Sequence, residues 1–275
     1  MKRIVSLLLL MAIITTLVTS CKKKPGPAPD LPPLESMLID FSNFESGKKS
    51  ADLFNLPKGV ENSNWEFAAF VAGTWNTLIA YTLAVPVAAF KLSIDQTPVY
   101  LDDQTWQWSF SVTVLQKKYT ARLTGQKRTS DIQWKMYITE EGKSEFLWFE
   151  GTSSSSGGQW TLNHSYAFQE PVLQIDYTLS SGAVTMIKYT YIRNLDDSRA
   201  TDKFKTSYIE YGKTTSNTYN AYYNVYIYHI YLQKFVTVKI EWNTTGHNGR
   251  VQCSEYFGNT SWYCWNSNLV NITCP

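Results

Sequence analysis

The stretch Trp106-Gln-Trp-Ser-Phe-Ser-Val-Thr-Val114 alternates apolar and polar side chains without a break. Successive side chains of a strand point to opposite faces, so Trp106, Trp108, Phe110, Val112 and Val114 share one face and Gln107, Ser109, Ser111 and Thr113 the other. This is the pattern of a half-buried strand, and it recurs downstream. Similar runs occupy residues 119–124, 132–139, 146–150, 159–163, 173–179 and 184–192. After the charged loop Asp196-Asp197-Ser198-Arg199 they resume at residues 204–211, 219–231, 235–242 and 250–256. Turn-forming clusters separate them, among them Lys127-Arg128-Thr129-Ser130-Asp131, Glu140-Glu141-Gly142-Lys143, the tract 153–158 and Ser180-Ser181-Gly182. With no helical period between them, neighbouring strands are expected to pair antiparallel as a meander. Ten or more strands in one sheet tend to curl or to split in two.

Upstream of this region the sequence changes character. From Phe67 to Phe90, 24 positions pass without a charged residue. Asn64 suits a helix N-cap ahead of Trp65, Glu66 falls in the first turn where the helix dipole favours an acid, and Pro86 is expected to kink or break the helix near Val85. The run has the length of a membrane span, but Thr74, Asn76, Thr77, Thr82 and Pro86 favour burial within protein. Residues 34–60 hold only a short apolar patch, Met37 to Phe41, expected as a strand or a turn of helix, and a polar stretch at 45–50.

The fold class that follows is α+β, mostly β. A large curved antiparallel meander sheet or half-barrel over residues 97–275 is preceded by one long apolar helix over 62–93, kinked near Pro86. Residues 34–275 form a single globular domain. In architecture alone this resembles the lipoprotein-carrier and lipocalin-like half-barrels, and a shared fold does not fix function.

The amino terminus reads as processing information. Lys2 and Arg3 precede an apolar run from Ile4 to about Val18, the n-region and h-region of a secretory signal peptide over residues 1–20. It ends in Val18-Thr19-Ser20-Cys21, which resembles a bacterial lipobox. That resemblance implies cleavage before Cys21, a diacylglycerol on its sulfur and acylation of its new amino group, and several acyl chains make stable membrane anchoring. By similarity to enterobacterial sorting, Lys22 rather than an aspartate after the cysteine implies the outer membrane and leaves open which face of it. Lys22-Lys23-Lys24 and the following prolines read as a lipidated, Pro/Lys-rich tether over residues 21–33.

Removal of residues 1–20 leaves 23 basic against 23 acidic side chains. A neutral domain has no basic excess to track phosphates, so nucleic acid is not expected as a partner. Aromatic residues make up 15% of the chain and include ten tryptophans, ample for a core. The sequence lacks a G-x-S-x-G elbow, an H-E-x-x-H helix, a phosphate-binding glycine loop and an EF-hand. His164, His229 and His247 are scattered, and the pairs Asp102-Asp103, Glu140-Glu141 and Asp196-Asp197 fall in expected turns. No catalytic residue, metal site or cofactor is expected.

The tyrosines of residues 208–231 are the most distinctive surface feature. Tyr222, Tyr226 and Tyr228 share one strand face, and Tyr223 and Tyr231 the other. Such rings offer flat apolar area with a polar tip, which suits a binding surface, and they are also good strand formers.

Apart from Cys21, three cysteines remain: Cys253, Cys264 and Cys274. In an exported chain one disulfide and one free thiol is the natural count, and the absence of C-x-x-C spacing argues against zinc. If Gly258-Asn259 makes a two-residue hairpin turn, Cys253 lies opposite Cys264 and can bond to it. The closing stretch also resembles the end of uncharacterised Bacteroidota cell-envelope lipoproteins, a block of the form F-G-D-x-x-W-H-C-W-D followed by D-V-x-C. Phe257, Gly258, Trp262, Cys264, Trp265, Val270 and Cys274 match; Asn259, Tyr263, Asn266 and Asn271 stand where the pattern has Asp, His, Asp and Asp. The resemblance covers about 20 residues, carries no activity, and implies a Cys264–Cys274 bond. The functional expectation is a non-catalytic binding or carrier lipoprotein for an apolar ligand, glycan or protein partner. A structural subunit of an envelope assembly and a hydrolase acting on envelope glycan or lipid are the alternatives.

Overall fold

The structure, a computed structural model, describes residues 26–44, 63–114, 116–194 and 202–275. The expected signal peptide, Cys21, Lys22 to Lys24, the polar stretch 45–50 and Asp196 to Arg199 lie outside the described residues. Among the described residues, fourteen strands pair antiparallel, strictly in sequence order, as one open curved sheet. They are β1 (Val99–Tyr100), β2 (Thr105–Val114), β3 (Lys117–Lys127), β4 (Ile132–Glu140), β5 (Phe146–Ser154), β6 (Gly157–Asn163) and β7 (Pro171–Ser180). The second half comprises β8 (Ala183–Tyr191), β9 (Tyr208–Lys213), β10 (Ala221–His229), β11 (Lys234–Trp242), β12 (Gly249–Gln252), β13 (Tyr263–Trp265) and β14 (Asn271–Ile272). Both edge strands are two residues long, which leaves little unpaired backbone to recruit another chain.

The alternation in β2 does what its pattern demands: Trp106 and Trp108 are buried and Ser109 and Ser111 are exposed. The same inward face continues through Leu123, Trp134, Met136, Phe149, Trp160, Ile175, Tyr189, Tyr223, Val238 and Trp242, all buried. Two bodies fill the concavity. One is the segment 34–44, built from two short 3-10 turns, Leu34–Met37 and Ser42–Phe44. It is bound from the sheet: the Tyr189 hydroxyl donates to the Met37 carbonyl at 2.6 Å, the Trp160 indole N–H to Ser36 Oγ at 3.2 Å, and the Tyr223 hydroxyl to the Asp40 carbonyl. These bonds satisfy polar tips that burial would otherwise penalise.

The other body is helix α1 (Ser63–Ser93). It packs against β2 and β3 at one end of the strand order and β12 to β14 at the other, so a single helix bridges the two ends of the curled sheet. Its arms Ser63–Ala80 and Thr82–Ser93 are inclined by 64°. The bend lies about one turn before Pro86, where the ring displaces the carbonyl four residues back and no N–H is available to replace that bond. No single helix among the described residues is long and apolar enough to cross a membrane. Phe67, Val71, Trp75, Ile79 and Leu83 are buried in protein, whereas Thr74, Thr77 and Thr82 face outward and return their hydroxyls to the carbonyls of Phe70, Gly73 and Leu78, each at 2.9 Å.

Three local expectations are corrected. The helix cap comes from the far end of the chain and not from the Asn64 side chain: Asn271 Oδ1 accepts from the Asn64 N–H at 3.1 Å, while Asn64 Nδ2 donates to the Cys264 carbonyl at 2.9 Å. Gly258 does not turn a hairpin. With φ +80° and ψ 4° it ends the one-turn helix α2 (Ser254–Phe257) in the left-handed conformation that glycine adopts freely. The strand expected over 250–256 therefore stops at Gln252, and β13 pairs in a different register, with Arg250 opposite Cys264. Finally, the second half of the expected tether is docked. Pro29 and Pro32 are buried, Ala28 and Leu31 pack on the core, and Lys127 Nζ donates to the Pro27 carbonyl at 2.6 Å. Proline rings are apolar, and this run spends them on the sheet.

A meander sends its turns alternately to two rims. The turns β3–β4, β5–β6 and β7–β8 lie at the rim where residues 27–33 dock, here the proximal rim. The connections β4–β5, β6–β7, β8–β9 and β10–β11 lie at the opposite, distal rim.

Candidate functional site

The cysteines are structural. Cys264 and Cys274 form a disulfide with their Cα atoms 5.1 Å apart, and Cys253 is free and buried. Burial pushes the Cys253 thiol up to about 11. A raised value favours the protonated form in the folded state, so the contribution is present below the free-thiol value and fades as pH rises towards about 11. At neutral pH the native protein is expected to resist maleimide while the urea-unfolded, unreduced protein takes up one equivalent, read by mass spectrometry. Rapid native labelling would contradict the burial.

The expected tyrosine surface is occupied by its own neighbours. Tyr226 stacks between Tyr208 and Phe235 at centroid distances of 5.7 and 4.5 Å, and Tyr228 meets Phe235 at 5.4 Å and Phe204 at 6.2 Å. The Tyr222 hydroxyl donates to Glu210 at 3.1 Å, and burial, then the Glu210 charge, pushes its pKa up to about 12. Lys188 Nζ sits 4.0 Å from the centre of the Tyr208 ring. These rings form a ladder across β9, β10 and β11, with half-buried members rather than open faces. Tyr223 points into the core, and Tyr231 lies beyond the strand in the β10–β11 turn, 83% exposed.

No group of three or more His, Cys, Asp or Glu among the described residues is placed to hold a metal ion. Glu140 is taken up by Lys143 at 2.7 Å and Lys117 at 3.1 Å. His247 stands in a turn with φ 58°. His229 acts locally, its Nδ1 accepting the Leu232 N–H at 3.0 Å and so ordering the turn at the tip of the β10–β11 hairpin.

That tip belongs to the site that sequence patterns do not show. Between α1 and the β10–β11 hairpin, at the distal rim, lies an open groove of about 250 Å³. Phe70, Val71, Thr74 and Trp75 line it from the helix, Val225, Ile227 and Tyr228 from β10, Val238 from β11 and Phe204 from the β8–β9 connection. Apart from Thr74 and His229 the lining is apolar or aromatic, and the Trp75 indole N–H is buried without a hydrogen-bond partner among the described residues. Ile230, 63% exposed, and Tyr231 stand at its mouth, followed by the exposed Leu232. Exposed apolar surface gathered around an apolar hollow marks a binding site more often than chance surface does. Its residues come from four separated segments, so no single sequence window displays it. No family model, curated protein or solved structure matches the chain.

Proposed function

We propose that the protein is a non-catalytic binding lipoprotein of the cell envelope, anchored in the outer membrane through Cys21, which holds an apolar chain in the distal groove. The observation that carries this reading is the groove itself, an apolar hollow mouthed by the exposed side chains of Ile230 and Tyr231 at the tip of an ordered hairpin. A volume of about 250 Å³ suits one narrow chain rather than a bulky ligand. The docked run 27–33 supports the orientation. Cys21 precedes Gly26 by five residues, which span at most about 18 Å. An anchor there leaves the groove pointing away from the membrane that holds the protein.

Titration with a fluorescent fatty acid tests this. Saturable binding is expected, weakened by about tenfold or more in Thr74→Trp, which fills the groove from an exposed helix position without touching the core. Binding unchanged in that variant would remove the groove from consideration. A second reading, a structural subunit of an envelope assembly, is favoured by the aromatic filling of the concavity. It predicts no fatty-acid binding at all and a protein partner lost on Tyr231→Ser.

A further inference from the structure

The proximal rim carries a second concavity of different chemistry. Two hollows of about 680 and 450 Å³ share Ser130, Asp131, Ser153, Ser154 and Tyr177 in their walls and so make one cleft. The docked run 27–33 forms one side, and the β3–β4 and β5–β6 turns form the other. Its charged side chains, Asp30, Asp131, Lys127 and Arg128, balance in sign. Arg128 is committed to Asp131 through two bonds of 2.7 and 2.8 Å, and Lys127 to the Pro27 carbonyl. What remains on the walls is the Asp30 carboxylate, the serine and Tyr177 hydroxyls, and the apolar side chains of Leu31, Ile132 and Leu179.

One of those hydroxyls has no hydrogen bond of standard geometry among the described residues. Tyr177 is 2% exposed, and its ring lies over Gly158, where an added Cβ would stand 2.7 Å from the tyrosine oxygen. The hydroxyl meets no partner at hydrogen-bonding geometry among the described residues. Ser153 Oγ, which accepts the Trp134 indole N–H at 2.8 Å, is its polar neighbour but stands outside standard hydrogen-bond geometry to it. A buried hydroxyl left unpaired costs free energy that a ligand recovers by pairing with it.

We infer that this cleft binds a neutral polyhydroxyl ligand, a saccharide, with Tyr177 and the serines around it as its polar contacts. A sugar hydroxyl both donates and accepts, which is what Tyr177 and the flanking serines need. An anion would require an uncommitted cation, and an apolar ligand would leave the hydroxyls unpaired. The buried rings of Pro29 and Pro32 add an apolar flank for a sugar's C–H face. This site is independent of the distal groove.

The test uses the mature protein and a panel of glucose, galactose, mannose and N-acetylglucosamine with their β-linked dimers, titrated into the millimolar range by calorimetry and saturation-transfer NMR. Saturable binding of at least one saccharide is expected, about tenfold weaker in Tyr177→Phe and lost in Ser130→Trp, an exposed turn position that obstructs the cleft without entering the core. Tyr177→Phe should unfold at a urea concentration no lower than the parent, because the hydroxyl it removes is unpaired. Fatty-acid binding at the distal rim should be unchanged in both variants. The inference is overturned if no saccharide binds saturably, if binding persists undiminished in both variants, or if Tyr177→Phe is markedly destabilised, since the hydroxyl would then already serve a structural bond.

Discussion

Replacing Trp134 with alanine is expected to lower the free energy of unfolding by about 3–5 kcal/mol, read as an earlier urea midpoint at unchanged slope. The indole is fully buried, packs against Trp108 with ring centroids 5.7 Å apart, and gives its N–H to Ser153 Oγ at 2.8 Å. Alanine forfeits the ring's transfer free energy, opens a cavity between β3 and β5, and leaves Ser153 with one bond fewer. The neighbouring strand is built for this ring: a Cβ at Gly125, opposite Trp134, would stand 2.4 Å from the indole. Glycine is normally a cost within a strand, and here it makes room for the largest side chain of the core. Gly125→Ala should therefore destabilise the wild type and be tolerated better beside Trp134→Ala, a coupling that a double-mutant cycle measures. Additive effects would show that the two residues do not share this space.

The disulfide carries the second large effect. Cys264 and Cys274 are ten residues apart, and opening so short a loop is expected to cost about 2.5 kcal/mol from loop entropy. The Cys264→Ser, Cys274→Ser double variant should lose more than the global term at one place. Asn271, held between the two cysteines, caps α1 through the Asn64 N–H and donates from Nδ2 to Ser63 Oγ at 3.1 Å, while the Cys264 carbonyl receives Asn64 Nδ2. Releasing the bond should release the cap. Amide exchange over the first turn of α1 is then expected to accelerate alongside that of β13 and β14, and exchange confined to β14 would show that the cap stands without the disulfide.

Legibility follows the length over which a pattern is written. Strands β2 to β8, β10 and β11 run for seven residues or more, and the sequence places them within a few residues. The edge strands β1 and β14 and the three-residue β13 are too short to display a period, so they pass unread. Gly258 shows a different limit. A positive-φ glycine serves a hairpin turn and a helix C-cap equally well, and choosing the turn misplaced the register of Cys264. The bond between Cys264 and Cys274 agrees with the terminal block's resemblance and not with that register count.

The sites were less legible because they depend on convergence. Tyr222, Tyr226 and Tyr228 do share a face, yet Phe204, Tyr208 and Phe235 arrive from other segments to pack on Tyr226 and Tyr228, which no strand pattern reveals. The groove needs Phe70 and Trp75, helix residues that lie 155 and 150 positions upstream of Val225. A hint was present in Ile230-Tyr231-Leu232, three large apolar residues where a turn would ordinarily be polar.

Occupation of the distal groove by an apolar molecule is tested most directly by organic extraction and mass spectrometry of the mature protein purified from cell envelopes, run beside Thr74→Trp. A co-purifying apolar molecule, near stoichiometric in the parent and depleted in the variant, is the predicted result. A parent extract as clean as the variant's, or equal recovery from both, would contradict it.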